Sequence, residues 1–376
     1  MNTNTPLTLL GNISPQQFMQ EYWQRKPLLV RQAIPQFKAL LSREELVEMA
    51  TQEEVESRLI TSFKGWTFER GPFTVDQFPA WEQTQWTMLV QGVDLHDANV
   101  HALMQQFRFI PDARLDDVMI SYATDGGGVG PHFDSYDVFL LQAHGNRRWR
   151  IGCQEDRTLL EGLPLRILAD FQPEQEFVLE PGDMLYLPPG YAHDGIAEGE
   201  CMTYSIGFRV PQQGDLAREL LLRMAEPAAD ALGEGLYQDA GQPAVEEAAA
   251  IPDSMLEFAQ QQLVLALQDR DNMACALGEY LTEPKANVWF DSPEQEVSEL
   301  DSGIRLSQKT RMLYDQEHVF INGESFRAAG QDAQLMRLLA NQRCLSDEQV
   351  KQLSTDASGL VCEWVNMGWV EMAINQ

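Results

Sequence analysis

The stretch Gly126-Gly127-Gly128-Val129-Gly130-Pro131-His132-Phe133-Asp134 opens the most informative part of the chain. Around it, apolar residues recur at the two-residue period of β-strands, and glycine and proline separate the short runs. The predicted strands cover residues 118–122, 136–142, 147–151, 177–180, 184–187 and 202–210. Several short strands separated by turns of this kind are typical of an all-β barrel or sandwich.

Three side chains in this region have the pattern of a metal site. His132 and Asp134 are two residues apart, so on a strand they project from the same face. His193 follows a Pro-Gly-Asp turn, an apolar strand and a Pro-Pro-Gly turn. A lone His-x-Asp triplet is more often structural, but this combination favours the facial triad of two histidines and one carboxylate. That triad is typical of non-haem iron oxygenases.

Arg147 supports a dicarboxylate cosubstrate such as 2-oxoglutarate. An acid that chelates iron at one end needs a fixed cation for its other carboxylate, and arginine can bind a carboxylate through two hydrogen bonds. Strand alternation puts Arg147 and Trp149 on one face, and Arg148 and Arg150 on the other. The period alone leaves open which pair faces the barrel interior.

Two polar residues on strand positions could line the same interior. Ser121 lies between Ile120 and Tyr122, and Thr203 alternates with the apolar residues of 202–208. Taken singly, each fits a structural role in the barrel better than a ligand contact. The glycine run at 126–128 does not lead into a helix, so it is not a phosphate-binding loop. We expect it to bring the backbone close to a substrate.

Helical segments flank the barrel region on both sides. One helix is predicted to begin at Ser14-Pro15, one at Ser42 with Glu45 completing a capping box, and one near residues 99–107. After Pro211 the pattern is helical, and a linker is predicted around Pro293. The remainder combines short strands, an Asn322-Gly323 hairpin and two helices. We therefore predict an α+β protein with domains at 1–210, 211–292 and 293–376, the last of winged-helix type.

The charge balance restricts the partners. The 376 residues include 27 Lys+Arg and 57 Asp+Glu, which gives a net charge of −30. Such a surface is unsuited to direct binding of nucleic acid or of an anionic membrane. Residues 151–300 carry most of the excess, with 7 basic and 29 acidic side chains. This acidity either keeps the protein soluble or attracts a basic macromolecule.

Targeting signals and cysteine usage indicate a cytoplasmic protein. The chain contains no apolar run long enough to span a membrane, and its first residues do not form a secretory signal. The five cysteines are scattered and form no Cys-x-x-Cys pair, so neither a disulfide framework nor a cysteine zinc site is predicted.

The chain resembles the JmjC (cupin-type) oxygenases and, among them, the bacterial ribosomal oxygenases that hydroxylate an arginine of large-subunit ribosomal protein sixteen. The resemblance is dense over residues 15–210. It rests on Lys26-Pro27-Leu28, the run from Gly126 to Phe139, Arg147-Arg148-Trp149-Arg150, Pro181-Gly182-Asp183, Pro188-Pro189-Gly190, His193 and Tyr204-Ser205-Ile206-Gly207-Phe208-Arg209.

The resemblance implies a fold, a cofactor set and partners. The fold is a double-stranded β-helix (jelly-roll) barrel with flanking helices, followed by a helical dimerisation region and a winged-helix-like module. Iron as Fe(II) would be held by His132, Asp134 and His193, and 2-oxoglutarate by Arg147, with Ser121 and Thr203 as further contacts. With O₂, this site would hydroxylate a basic ribosomal protein and release succinate and CO₂. The family also implies a homodimer.

Two other functions fit part of the pattern. A small-molecule oxygenase would use the same chemistry, but it would not need the helical and winged-helix extensions. A cupin that serves only as a binding module would be indicated by loss of a metal ligand or of the cosubstrate cation, whereas this sequence has all four residues.

Overall fold

Residues between 115 and 208 form the β-structure that the sequence predicts. The computed structural model describes residues 2–373. Contacts divide the chain after Val210 into two compact units. The described part of the first unit contains ten strands: β1 (Leu28–Val30), β2 (Ser57–Thr61), β3 (Thr67–Arg70), β4 (Trp86–Val90), β5 (Leu115–Ala123), β6 (His132–Phe133), β7 (Asp137–Gly152), β8 (Gln175–Leu179), β9 (Met184–Leu187) and β10 (Ala192–Phe208).

Two long strands, β7 and β10, organise the barrel. They pair with each other antiparallel from Asp137↔Phe208 to Gly152↔Ala192. One half of this pair is flanked by β5 and β9, and the other half by β6 and β8. The result is two antiparallel layers that share their central strands. One is β6-β10-β7-β8, and the other is β5-β10-β7-β9, which β1 extends at one edge and β4, β2 and β3 extend at the other. This is the jelly-roll arrangement that the sequence predicts.

The shared strands are continuous where the sequence predicts an interruption. Segments 136–142 and 147–151 were expected as separate strands, but they form the two halves of β7. The pairing with β10 shifts register between Glu198 and Met202, and Gly145 lies opposite with a φ of +58°. A glycine that resembles a turn in the sequence therefore marks a bend within one strand.

Three helices cover one face of the barrel. They are α1 (Pro15–Glu21), α2 (Arg43–Ala50) and α3 (Ala98–Gln105). The predicted capping box of α2 is confirmed, because the Ser42 side chain accepts from the Glu45 backbone and Glu45 accepts from the Ser42 backbone. These helices bury apolar residues against alternate residues of the central strands in one core: Phe18, Leu46, Val47, Leu103, Ile120, Phe139, Leu141, Tyr204 and Ile206.

Helices and two small sheets form the described part of the second unit. The helices are α4 (Gln213–Leu232), α5 (Asp253–Gln268), α6 (Arg270–Thr282), α7 (Gly330–Gln342), α8 (Asp347–Val350) and α9 (Thr355–Asn366). The strands are β11 (Ile304–Leu306), β12 (Met312–Tyr314), β13 (His318–Ile321), β14 (Glu324–Arg327), β15 (Cys344–Leu345) and β16 (Val370–Met372).

The small sheets of the second unit are antiparallel, in the orders β15-β11-β16 and β12-β13-β14. The predicted hairpin is confirmed: Asn322 and Gly323 join β13 to β14, with φ of 48° and 92°. The separation of residues 211–292 from 293–376 as two domains stays a prediction.

None of the described helices has the length and apolarity that crossing a membrane requires.

We predict that the bend in β7 depends on Gly145. A Cβ there would lie 2.0 Å from the Glu200 carbonyl oxygen, a backbone atom that cannot move aside. Gly145→Ala should therefore lower the free energy of unfolding by at least about 3 kcal/mol, measured by urea denaturation.

Gly199→Ala is the matched control for this variant. Gly199 also has a positive φ, of +74°, but a Cβ there would meet nothing within 4 Å. Its substitution should cost only about 1 kcal/mol, the conformational penalty alone. Equal losses for the two variants would contradict a role for close backbone approach at the bend.

Candidate active site

The pairing of β6 with β10 places the two predicted histidine ligands side by side. His132 and His193 are direct cross-strand partners, and their ring centroids are 4.3 Å apart. Asp134 follows β6 and reaches the same point: its Oδ2 lies 3.4 Å from His193 Nε2 and its Oδ1 lies 3.7 Å from His132 Nε2. One potential ligand atom from each residue falls within 4.8 Å of the others, so the cluster could hold a metal ion.

Backbone carbonyls orient both imidazoles for metal binding. His132 Nδ1 lies 2.9 Å from the Gly130 carbonyl oxygen, and His193 Nδ1 lies 3.0 Å from that of Tyr191. A carbonyl oxygen only accepts, so each Nδ1 carries the proton and donates. Each Nε2 then faces Asp134 and is the ring nitrogen available to a metal. This is the second contact that metal-binding histidines typically make.

Electrostatics inside the cluster favour an anionic Asp134 carboxylate and a neutral His132, whereas they favour protonation of His193. Burial, together with the neighbouring His193, lowers the pKa of His132. Burial opposes ionisation of Asp134, but its hydrogen bond and charge interaction with His193 hold the pKa below its usual value. Burial likewise opposes protonation of His193, while Asp134 raises the pKa of that imidazole overall. A cation at the centre would replace the proton shared by this pair.

Arg147 faces the barrel interior, which settles the question left open by strand alternation. It is 3% exposed and donates from Nη1 to Ser121 Oγ at 2.9 Å and to Thr203 Oγ1 at 3.3 Å. The three residues that the sequence proposed for a dicarboxylate therefore meet at one place. Arg148 and Arg150 pair with acidic side chains on the opposite face: Glu176, Glu198 and Asp194.

The Arg147 guanidinium is a buried cation whose hydrogen-bond partners are neutral. Besides the two hydroxyls, Nη2 donates to the Gly195 carbonyl at 3.2 Å, and within residues 2–373 its Nε has no partner. The ring of Trp149 lies 5.2 Å from the guanidinium and 5.9 Å from the His193 ring, so it links the cation to the metal cluster. A buried cation with neutral partners fits a bound carboxylate.

Residues that sequence reasoning missed complete this pocket. Gln142 is fully buried and accepts from Thr203 Oγ1 at 2.9 Å, which orients the hydroxyl. A Cβ at Gly195 would lie 2.7 Å from the Trp149 ring and 2.9 Å from Arg147 Nε, so glycine is needed there. The roles of Gln142 and Gly195 both depend on which strands pair, and no local feature of the sequence indicates that pairing.

Tyr136 is a further residue that the sequence did not indicate. Its hydroxyl is buried and interacts with the charge of Asp134, while 40% of the residue is exposed. Burial of the hydroxyl, followed by the negative charges of Asp134 and Asp117, raises its pKa, so it stays a donor at neutral pH. Tyr136 therefore extends from a predicted metal ligand to the protein surface.

The glycine run at 126–128 contacts backbone. A Cβ at Gly127 would lie 2.5 Å from the Trp86 carbonyl oxygen, and one at Gly128 would lie 2.6 Å from that of Gly195. These glycines let the loop before His132 pass close to β4 and β10, which fixes the position of β6. Close approach to a substrate stays a prediction.

Comparison with known proteins supports this architecture. A JmjC domain model matches residues 102–216, and a ROXA-like winged helix matches residues 265–371. The ribosomal protein uL16 3-hydroxylase of Escherichia coli (strain K12) is 32% identical over 368 residues, which cover 94% of this chain and 96% of that protein.

Solved structures agree with the sequence comparison. The X-ray structure of E. coli ycfD matches with a TM-score of 0.85 and 29% identity, covering 95% of this chain and 98% of that chain. A structure of YcfD, a ribosomal oxygenase from E. coli, in complex with cobalt and 2-oxoglutarate matches with a TM-score of 0.81 and 30% identity, covering 95% and 97%. The predicted α+β fold, a jelly roll followed by a winged-helix module, is thereby confirmed.

Proposed function

Because this chain belongs to the ribosomal oxygenases of the JmjC family, we propose that it is an Fe(II)- and 2-oxoglutarate-dependent hydroxylase of large-subunit ribosomal protein uL16. The group modified is an arginine side chain. The observation that carries the proposal is the buried Arg147 guanidinium, bound to neutral groups, beside a cluster of two histidines and one aspartate. The arrangement places a carboxylate-binding site next to a metal site.

The chain's own residues hold and orient the reactants. His132, Asp134 and His193 are the residues that would hold the metal. Iron bound there would supply the redox chemistry by which O₂ and 2-oxoglutarate yield a hydroxylated product, succinate and CO₂.

The cosubstrate is held at the Arg147 end of the pocket. Arg147 would receive the far carboxylate of 2-oxoglutarate, and the hydroxyls of Ser121 and Thr203, which already accept from Arg147, would hydrogen-bond that carboxylate. Trp149 fills the space between the guanidinium and His193, which keeps water away from the metal.

A negative charge close to the metal cluster suits a cationic substrate. Asp117 lies on β5 four residues before Ser121, on the same face, and is 3% exposed. Its two oxygens accept from Gln91 Nε2 at 2.9 Å each, and its charge reaches the Tyr136 hydroxyl. An arginine guanidinium would be received by Asp117 and stack on the exposed ring of Tyr136.

The second unit carries a surface suited to a second copy of the chain. Within the described residues, α5 has no buried side chain. Leu256, Leu263 and Leu267 share one stripe of this helix and are 56%, 63% and 46% exposed. An exposed apolar stripe of this kind is typical of an interface. The homodimer therefore forms through α5. The net charge of −30 is the reason to place no nucleic acid among its direct partners, and its site of action is the cytoplasm.

The direct test is succinate formation from 2-oxoglutarate with Fe(II), with and without purified uL16. Arg147→Gln removes the cosubstrate cation and should lower turnover at limiting 2-oxoglutarate by at least about tenfold. Arg148→Gln is the control, since Arg148 pairs with Glu176 and Glu198 on the other face, and it should retain activity. Mass spectrometry of uL16 should locate one added oxygen on an arginine.

Two outcomes would contradict the proposal. Succinate formation that uL16 does not stimulate would favour the small-molecule oxygenase. Absence of succinate formation under every condition, with iron bound, would favour the binding module.

We predict that turnover on uL16 depends on ionic strength. The acidic excess in residues 151–300 should attract a basic substrate over a distance that salt screens. Raising salt from about 50 to about 300 mM should lower kcat/KM for uL16 by roughly tenfold. Uncoupled consumption of 2-oxoglutarate without protein substrate should change little. A kcat/KM for uL16 that does not change with salt would indicate that the acidic residues serve solubility alone.

We predict that a charge in the α5 stripe disrupts the dimer. Leu263→Glu places a carboxylate in the apolar interface and should convert the dimer to monomer in light scattering coupled to size exclusion. Gln261→Glu adds the same charge on the opposite side of α5 and should stay dimeric. A wild-type protein that is monomeric at micromolar concentration would contradict the proposed interface.

A further inference from the structure

A second cluster of metal-ligating side chains lies in the second unit, where α6 packs on β13. A Cβ at Gly278 would lie 2.3 Å from the Phe320 ring, so glycine allows the helix to approach this strand closely. Asp271 and Cys275 occupy successive turns on the same face of α6. The close packing brings that face against His318 at the start of β13.

The three side chains converge on one point. One potential ligand atom from each of Asp271, Cys275 and His318 falls within 4.8 Å of the others. His318 Nε2 lies 3.2 Å from Asp271 Oδ1, comparable with the separations of 3.4 and 3.7 Å in the His132, Asp134 and His193 cluster. Two atoms that bind one metal at about 2 Å in tetrahedral geometry are separated by a similar distance.

His318 has the surroundings of a metal-binding histidine. Its side chain is 4% exposed, and its Nδ1 lies 3.3 Å from both oxygens of Asp315. Asp315 is itself held by the backbone N–H groups of Glu317 and His318 at 2.8 and 2.7 Å. In the part of the chain that the structure describes, His318 Nε2 makes no hydrogen bond, although it is directed at the other two ligands. A carboxylate that fixes one ring nitrogen and leaves the other for a metal is the usual arrangement.

The charges around the cluster can be balanced by a divalent cation. Asp271 divides its carboxylate, because Oδ2 accepts from Arg327 while Oδ1 faces His318. A carboxylate and a thiolate supply two negative charges, which one divalent metal neutralises, and Arg327 also lies 3.7 Å from Glu317. Arg327 is 66% exposed at its side chain and does not block the cluster.

We propose that Asp271, Cys275 and His318 bind a thiophilic divalent cation of the zinc class, which fastens α6 to β13. Sulfur and imidazole ligands select zinc over magnesium or calcium, which prefer oxygen. Three protein ligands leave the fourth tetrahedral position for water. The site is separate from the proposed oxygenase chemistry and does not depend on it.

Cobalt(II) tests the site in the metal-free full-length protein. Cobalt bound to a thiolate gives a sulfur-to-metal charge-transfer band in the near ultraviolet, and the His132, Asp134 and His193 cluster has no sulfur to produce one. Titration should saturate this band within two equivalents per chain, since the His132, Asp134 and His193 cluster can take the other equivalent, and added Zn²⁺ should abolish it. Cys275→Ser should lose the band, whereas Cys153→Ser and Cys344→Ser, at exposed cysteines, should retain it.

Further variants separate metal binding from folding. His318→Gln should weaken cobalt binding by at least about a hundredfold. Arg327→Gln leaves all three ligands in place and should retain the band. Zn²⁺ should raise the Tm of the wild type by more than that of Cys275→Ser, which keeps only the His132, Asp134 and His193 cluster. The circular dichroism of Cys275→Ser without metal should match the wild type. Absence of the band in the wild type, or its persistence in Cys275→Ser or at full affinity in His318→Gln, would overturn the proposal.

Discussion

The bend shared by β7 and β10 carries the chemistry of the first unit. At this bend Gln142 donates from Nε2 to the carbonyl oxygens of His144 and Gly145, at 2.8 and 3.1 Å. Its Oε1 accepts from Thr203, which in turn accepts from Arg147. A continuous chain of buried hydrogen bonds therefore runs from the backbone at the bend to the buried guanidinium. Because the same strand pair carries His193 into register with His132, one bend sets the metal cluster and the cation relative to each other.

Burial of Arg147 costs solvation free energy that a bound carboxylate can recover. A guanidinium taken out of water and bonded to neutral groups loses more solvation than those bonds return. A carboxylate placed against it recovers that loss through charge-assisted hydrogen bonds. The barrel therefore holds a cation whose favourable state is the ligand-bound one, which suits cosubstrate capture better than stability. Gly195 makes this possible, since any side chain there would displace Arg147 or Trp149.

Sequence reasoning succeeded where the relevant spacing is short. His132 and Asp134 are two residues apart on an extended segment, and proline and glycine residues mark the turn before His193. The direction of Arg147 could not be decided, because a two-residue period is symmetric between the faces of a strand. Only the pairing of Arg147 with Ala197, and the position of Gly195, make that face the interior. Cysteine spacing did not indicate the cluster of Asp271, Cys275 and His318 for a related reason: two of these residues lie on a helix and the third on a strand, and packing brings them together.

The acidic segment affects the two proposed partners in opposite ways. Residues 211–292, which include α4 and α5, carry 4 basic and 15 acidic side chains. A second copy docked through α5 brings two such segments together, so like charges oppose the dimer and salt relieves that repulsion. A basic substrate is attracted by the same charges, and salt weakens that attraction. In the proposed dimer α5 would meet its partner through exposed apolar side chains, which would offset the repulsion. The net charge therefore favours substrate encounter at the expense of self-association, and the leucine stripe compensates for the second effect.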